Sequence, residues 1–147
     1  MGWCTYLLKL EDVMVEDVIT VEEGATAKEV AELMNKHEIG CLIVMKMGKP
    51  AGIVTERDLV KRILLESKDP EKTKISEIMS KPLIVGKPQM ELEQTVRLMV
   101  EQKIKKLPVT QDGKLVGLIT LTDILRFQPE LLRIYNLLHD DIVKKIY

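Results

Sequence analysis

Residues 52–59 read GIVTERDL, and residues 117–124 read GLITLTDI. Each phrase runs from glycine through apolar steps to threonine, then two variable residues, then aspartate. Sliding the chain on itself by 65 residues aligns 14–60 with 79–125 without a gap. Twelve of those 47 positions are identical: Met14, Ile19, Leu33, Met34, Ile39, Leu42, Val44, Gly48, Lys49, Gly52, Thr55 and Asp58, each with its partner 65 residues on. A common hydrophobic pattern accounts for matching aliphatic residues, but it does not force glycine, threonine and aspartate to match as well. The chain is a duplication.

Periodicity within one copy changes in a readable order. VITV (18–21) predicts a short strand. TAKEVAELMNKH (26–37) opens on Thr26 with Glu29 three places later, a capping box, and sets Val30, Leu33, Met34 and His37 on one helical face. CLIVM (41–45) is a continuous apolar strand, which KMGK (46–49) turns into AGIVT (51–55); the second copy has QDGK (111–114) at the same turn. Asp-Gly is a strong hairpin signal. ERDLVKRILLE (56–66) predicts a second helix. Each copy therefore reads β-α-β-β-α, an α+β fold.

A continuous apolar strand needs cover on both faces. One copy has too few helices for that, so the two are expected to pack about a pseudo-two-fold axis. The expected bounds are 9–66 and 75–127, joined by the polar linker ESKDPEKTK (66–74). Residues 128–147 predict a C-terminal amphipathic helix, with Pro129 in its first turn. Its stripe is Leu131, Leu132, Ile134, Tyr135, Leu138, Ile142 and Ile146. That helix is expected to cover the module's own core, with a dimer contact as the alternative.

Composition excludes several classes. With 46% apolar and 31% charged residues and a net charge of −1, nothing global favours nucleic acid or an anionic membrane. One Trp, one Phe and three Tyr give no stacking platform for single strands. Cys4 and Cys41 form no CxxC, and His37 and His139 would join them at a metal only by coincidence of folding. Reduced thiols in the cytoplasm are expected. The start, MGWCTYLL, lacks the basic region of a signal peptide, and Tyr6 breaks the myristoylation pattern. No apolar run approaches the ~20 residues of a membrane span.

Thr55, at a strand-to-helix junction with Asp58 three places on, is a helix cap on any reading. Such a box normally uses Glu or Gln, and the shorter Asp leaves its carboxylate freer for other donors. A ribose diol suits one carboxylate, which accepts both protons in a charge-assisted pair. The helix start favours a phosphate. A nucleoside phosphate meets both demands, yet on these residues alone cap-only and cap-plus-ligand stay open.

VMVEDVITV, KHEIGCLIVM…GKPAGIVTERDL, IMSKPLIV and KIKKLPVTQDGKLVGLITLTDIL resemble a tandem pair of CBS domains. This module is named after cystathionine beta-synthase and is also found in IMP dehydrogenase. The resemblance covers about residues 9–127 and implies a stand-alone regulatory module that binds adenine nucleotides (AMP, ADP, ATP) or S-adenosylmethionine. It implies no catalysis, no required cofactor, a homodimer and a regulated protein partner. It also implies clefts built from both repeats, one half holding the base and the other supplying the Thr-x-x-Asp turn. One cleft would use Thr20, Ala25, Ile39, Gly40 and Cys41 with Thr120, Thr122 and Asp123. The other would use Val85, Met90, Ile104, Lys105 and Lys106 with Thr55, Arg57 and Asp58. Arg57, Lys105 and Lys106 lead us to expect the more phosphorylated ligand at the second set, and a less charged adenosine compound, or none, at the first. Val85 and Met90 carry the alternative of an adaptor with vestigial clefts. Lys103, Lys105 and Lys106 carry that of a polynucleotide binder.

Overall fold

A computed structural model describes residues 7–143, with side chains through His139. Cys4, Tyr6 and Ile146 lie outside the described residues, as does the side chain of Ile142. The chain divides into two compact units. The first is Asp17–Ile84 with Asp112–Leu115; the second takes residues 7–16, Val85–Gln111 and residues 116–143.

In the first unit, β1 (Thr20–Glu22) runs parallel to β2 (Cys41–Lys46), and β2 pairs antiparallel with β3 (Lys49–Thr55). The β2–β3 turn places Met47 at φ 51° and Gly48 at φ 77°, as a two-residue primed hairpin requires. The Asp112–Gly113 turn of the second repeat matches it at 52° and 77°. Residues 41–44 are all buried, the double-sided cover that their unbroken apolar run predicts.

The helix α2 (Ala27–His37) begins at Thr26, whose Oγ1 accepts the Glu29 N–H at 3.2 Å while Glu29 Oε2 accepts the Thr26 N–H at 2.9 Å. Two further N–H groups of its first turn, Ala27 and Lys28, donate to Thr73 O and Pro70 O. The linker therefore completes the satisfaction of the helix start. A hydrogen bond from Lys28 to the Glu71 carboxylate, 2.8 Å long, holds the ammonium above its usual pKa. Val30 and Met34 enter a core with Leu42, Val44, Val54, Ile63, Ile75 and Ile78. Leu33 is half-buried, but His37 is exposed, at the last turn before Glu38 takes a left-handed conformation and ends the helix.

The predicted helix 56–66 is not uniform. One α turn, α3 (Glu56–Leu59), leads into a π turn over Val60–Leu64, closed by Leu65 N–H donating to Val60 O at 2.9 Å. At the matching place the second unit keeps a regular α5 (Leu121–Phe127).

The second repeat contains α4 (Leu92–Gln102) and the hairpin β4 (Lys106–Gln111) with β5 (Lys114–Thr120). Its predicted first strand is reduced to one parallel bridge, Gly86 with Val109. Gly86 N–H donates to Pro108 O at 2.8 Å, and Thr110 N–H donates to Gly86 O at 3.0 Å. Two prolines explain the loss. In the first unit Glu23 N–H extends the ladder to Met45 O at 3.0 Å; the residue 65 places on is Pro88, which has no N–H. Pro108 likewise replaces Ile43 and cannot donate. Gly86 itself is demanded by packing, because a Cβ there would lie 2.8 Å from both Leu10 Cδ1 and Leu107 Cδ2.

The compact units do not coincide with the contiguous repeats. The short helix α1 (Leu10–Val13) and Val15 belong to the second unit, where Val15 and Leu118 exchange hydrogen bonds of 2.9 Å. The equivalent segment after the linker, a 3₁₀ turn at Ile75–Glu77 and then Ser80, belongs to the first unit, where Ser80 pairs with Ile53. Each copy's leading segment thus completes the body of the other. The methionine–glycine identities follow from this. Met79 lies over Gly52, where a Cβ would come within 2.6 Å of its Sδ and 3.0 Å of Ser80 O. Met14 lies as tightly over Gly117.

The C-terminal helix α6 (Leu131–Val143) packs on α4 and α5 and buries Leu131. Ile134, Tyr135 and Leu138 are half-buried, while Leu132 and Leu137 are exposed. The helix covers its own unit, as expected; Pro129 stands two residues ahead of it rather than inside its first turn.

Candidate functional site

Each Thr-x-x-Asp phrase lies where a strand becomes a helix. Thr55 is the last residue of β3 and the N-cap of α3, with extended backbone (φ −116°, ψ 166°). Its Oγ1 accepts the Asp58 N–H at 3.3 Å. Asp58 Oδ2 accepts the Thr55 N–H at 2.9 Å and the Thr55 hydroxyl at 3.1 Å. The expectation that the shorter aspartate leaves its carboxylate freer for other donors fails at Oδ2 of Asp58. Oδ2 reaches back and is used twice, and the other oxygen, Oδ1, has a Ser80 hydroxyl at 3.5 Å.

Thr120 caps α5 in the same way, accepting the Asp123 N–H at 3.1 Å. Here the box stays half open. Among the described residues no donor is bonded to the Asp123 carboxylate. Both aspartates and both threonines are half-buried, while Arg57 and Thr122 are exposed.

The strand starts predicted to hold a base lie beside these turns, each within its own unit. Cys41 pairs with Thr55, and Gly40 O accepts the Glu56 N–H at 3.1 Å, which sets Ile39, Gly40 and Cys41 next to the first turn. Lys105 O accepts the Leu121 N–H at 2.9 Å, which sets Ile104, Lys105 and Lys106 next to the second. Thr20 is exposed at the head of β1, opposite Ile43, and Ala25 is half-buried three residues beyond its end. Val85 is 37% exposed and Met90 half-buried.

Two grooves open on the first unit. One of about 390 Å³ is lined by Val21, Ala25, Glu29, Glu32, Leu33 and Lys36. Another of about 300 Å³ runs between α2 and α3, over Met34, Ile39 and Leu59, with Glu38 and Glu56 at its rim. They take in Ala25 and Ile39 from the predicted set, and neither includes Thr55 or Asp58.

Two residues beside the first turn escape sequence reasoning: Ser80, next to Asp58, and Arg62, whose Nη1 donates to Ile78 O at 2.5 Å. The repeat alignment held the signal. Position 80 matches Val15 and position 62 matches Phe127, so both donors are peculiar to the first unit. Among the described residues no group of three or more His, Cys, Asp or Glu side chains is placed to hold a metal ion. No described helix is long and apolar enough to cross a membrane.

The CBS domain family model matches residues 10–65 and 75–130. The uncharacterized protein MK0525 of Methanopyrus kandleri is 40% identical over 122 residues, which make up 82% of this chain and 62% of that protein. The CBS domain-containing protein YhcV of Bacillus subtilis is 36% identical over 115 residues, 78% of this chain and 81% of YhcV. Among solved structures, the CBS domain protein TA0289 of Thermoplasma acidophilum superposes with a TM-score of 0.81 at 26% identity, covering 91% of this chain and 77% of that one. A family match across both copies and a fold of two repeated α/β bodies agree: the chain belongs to the CBS-domain family, as a tandem pair.

Proposed function

We propose that this CBS pair is a regulatory module that binds an adenosine ligand, either an adenine nucleotide or S-adenosylmethionine. It passes its occupancy to a protein partner in the cytoplasm as a conformational shift. The observation that supports this most is the duplicated turn, in which a half-buried aspartate stands at a strand-to-helix junction beside the start of a buried strand. Asp58 and Asp123 each accept the two hydroxyls of a ribose. Thr55 and Thr120 orient the turns, and Thr122 and Arg57 flank the phosphates. Ile39, Gly40 and Cys41 with Thr20 and Ala25, and Ile104, Lys105 and Lys106 with Val85, contact the base or its substituents. Arg57 gives the Asp58 turn a preference for phosphorylated ligands, and Thr122 gives the Asp123 turn a less charged one.

Calorimetric titration of AMP, ATP and S-adenosylmethionine into the wild-type chain, Asp58→Ala and Asp123→Ala tests this. Hydrogen bonds to a charged group contribute about 1.5–3 kcal/mol, so each variant should weaken its own ligand on the order of 10- to 100-fold. Unchanged affinity in both variants would refute the reading. One observation favours a second reading, a structural adaptor: the ladder beside Val85 is a single bridge wide. Absence of heat with all three ligands in the wild-type chain would support it.

A further inference from the structure

We infer that the Asp58 turn is latched to the segment Ile78–Ser80, and that ligand occupancy at Asp58 releases this latch; the inference rests on the nucleotide-binding reading above. The segment is held in the first unit by five contacts. Ser80 N–H donates to Ile53 O at 2.8 Å, and Ile53 N–H donates to Ser80 O at 3.2 Å. Met79 lies over Gly52. Arg62, carried on the π turn, donates to Ile78 O. Ser80 Oγ approaches Asp58 Oδ1 at 3.5 Å.

The second unit repeats the backbone part of this frame, with Met14 over Gly117 and Val15 bonded to Leu118. It lacks the side-chain part, because Val15 stands at the place of Ser80 and Phe127 at the place of Arg62, and neither side chain can donate. Single-turn π segments inside helices recur at functional sites, and the only described one in this chain is the turn that carries Arg62.

Acceptor capacity links the latch to the ligand. Oδ2 of Asp58 already takes two donors from Thr55, which fill its two acceptor sites, so both hydroxyls of a diol fall to the two acceptor sites of Oδ1. The hydroxyl already there is that of Ser80, at a length where a hydrogen bond is weak and readily displaced. A bound ribose therefore removes Ser80 from Asp58 and loosens Ile78–Ser80. That segment leads, five residues on, into Val85 and the second unit. Occupancy at Asp123 has no such outlet, which makes the Asp58 turn the signalling one of the pair.

Hydrogen–deuterium exchange of the full chain with and without saturating AMP tests this, with AMP binding verified by calorimetry on the same sample. The Ile53 and Ser80 amides should exchange about three-fold faster with AMP, the scale of one weak hydrogen bond lost. The Val15 and Leu118 amides, their counterparts, should not change. In Ser80→Val, which borrows the residue of the second unit, AMP should still bind and the response at Ile53 should vanish. If AMP binds and exchange at Ile53 and Ser80 is unchanged or slower, the latch is overturned while the binding reading stands. If AMP gives no heat, both fall.

Discussion

The two units share a backbone frame and differ in the side chains hung on it. Each repeat has a primed hairpin, and each unit has a methionine from the other copy's leading segment laid over a glycine and a threonine cap before a short helix. The first unit has a three-residue parallel ladder, a closed Thr55–Asp58 box, a π turn and two side-chain donors that tie its exchanged segment, Arg62 to Ile78 O and Ser80 to Asp58. The second has one bridge, a half-open box and a regular α-helix. Duplication has kept what the fold needs and altered what a ligand or a signal would meet. The residues identical across the 65-residue offset include the frame residues Met14, Gly48, Gly52 and Thr55, whereas Ser80 and Arg62 beside Asp58 are matched by Val15 and Phe127.

The most severe way to test the shared frame is at its glycines. Gly52→Val and Gly117→Val each drive a branched side chain into a methionine and a backbone carbonyl, Ser80 O in one unit and Val15 O in the other. Methionine can yield; the carbonyl cannot without breaking the exchanged pairing. Each substitution should cost about 3 kcal/mol in urea unfolding, and the two should be alike. If only one destabilises the chain, the units do not share the frame.

A smaller effect sharpens the difference between the turns. Thr55→Ala removes a cap that both accepts from and donates to Asp58, and should cost about 1–2 kcal/mol. Thr120→Ala removes a single acceptor and should cost about 0.5–1 kcal/mol. Equal losses in equilibrium unfolding would mean that the closed box at Asp58 adds nothing.

Much of the architecture was legible because its causes are local. The capping box at Thr26 and Glu29, the two hairpin turns and the buried run 41–44 each follow from a few neighbouring residues. The reduced strand at Gly86 was equally within reach, since Pro88 and Pro108 stand where N–H groups were needed. The exchange of leading segments was not, because pairing Ser80 with Ile53 and Val15 with Leu118 leaves no local periodicity. Only the matched Met–Gly pairs record it. The π turn differs from an α turn by one residue in the span of its hydrogen bonds, and nothing in VKRIL marks that choice. Of the candidate site, the aspartates and threonines could be read from their repetition. The alignment marks Ser80 and Arg62 only as departures from Val15 and Phe127; their roles could not be read from it, because they act through contacts set by the exchange.

The claim at the centre of this account is that an aspartate at each turn recognises a sugar diol. Titrating the wild-type chain with AMP and with its 2′,3′-dideoxy analogue isolates that contact, since base and phosphate are unchanged. The account predicts that the analogue binds at least about ten-fold more weakly than AMP; equal affinity for the two would contradict it.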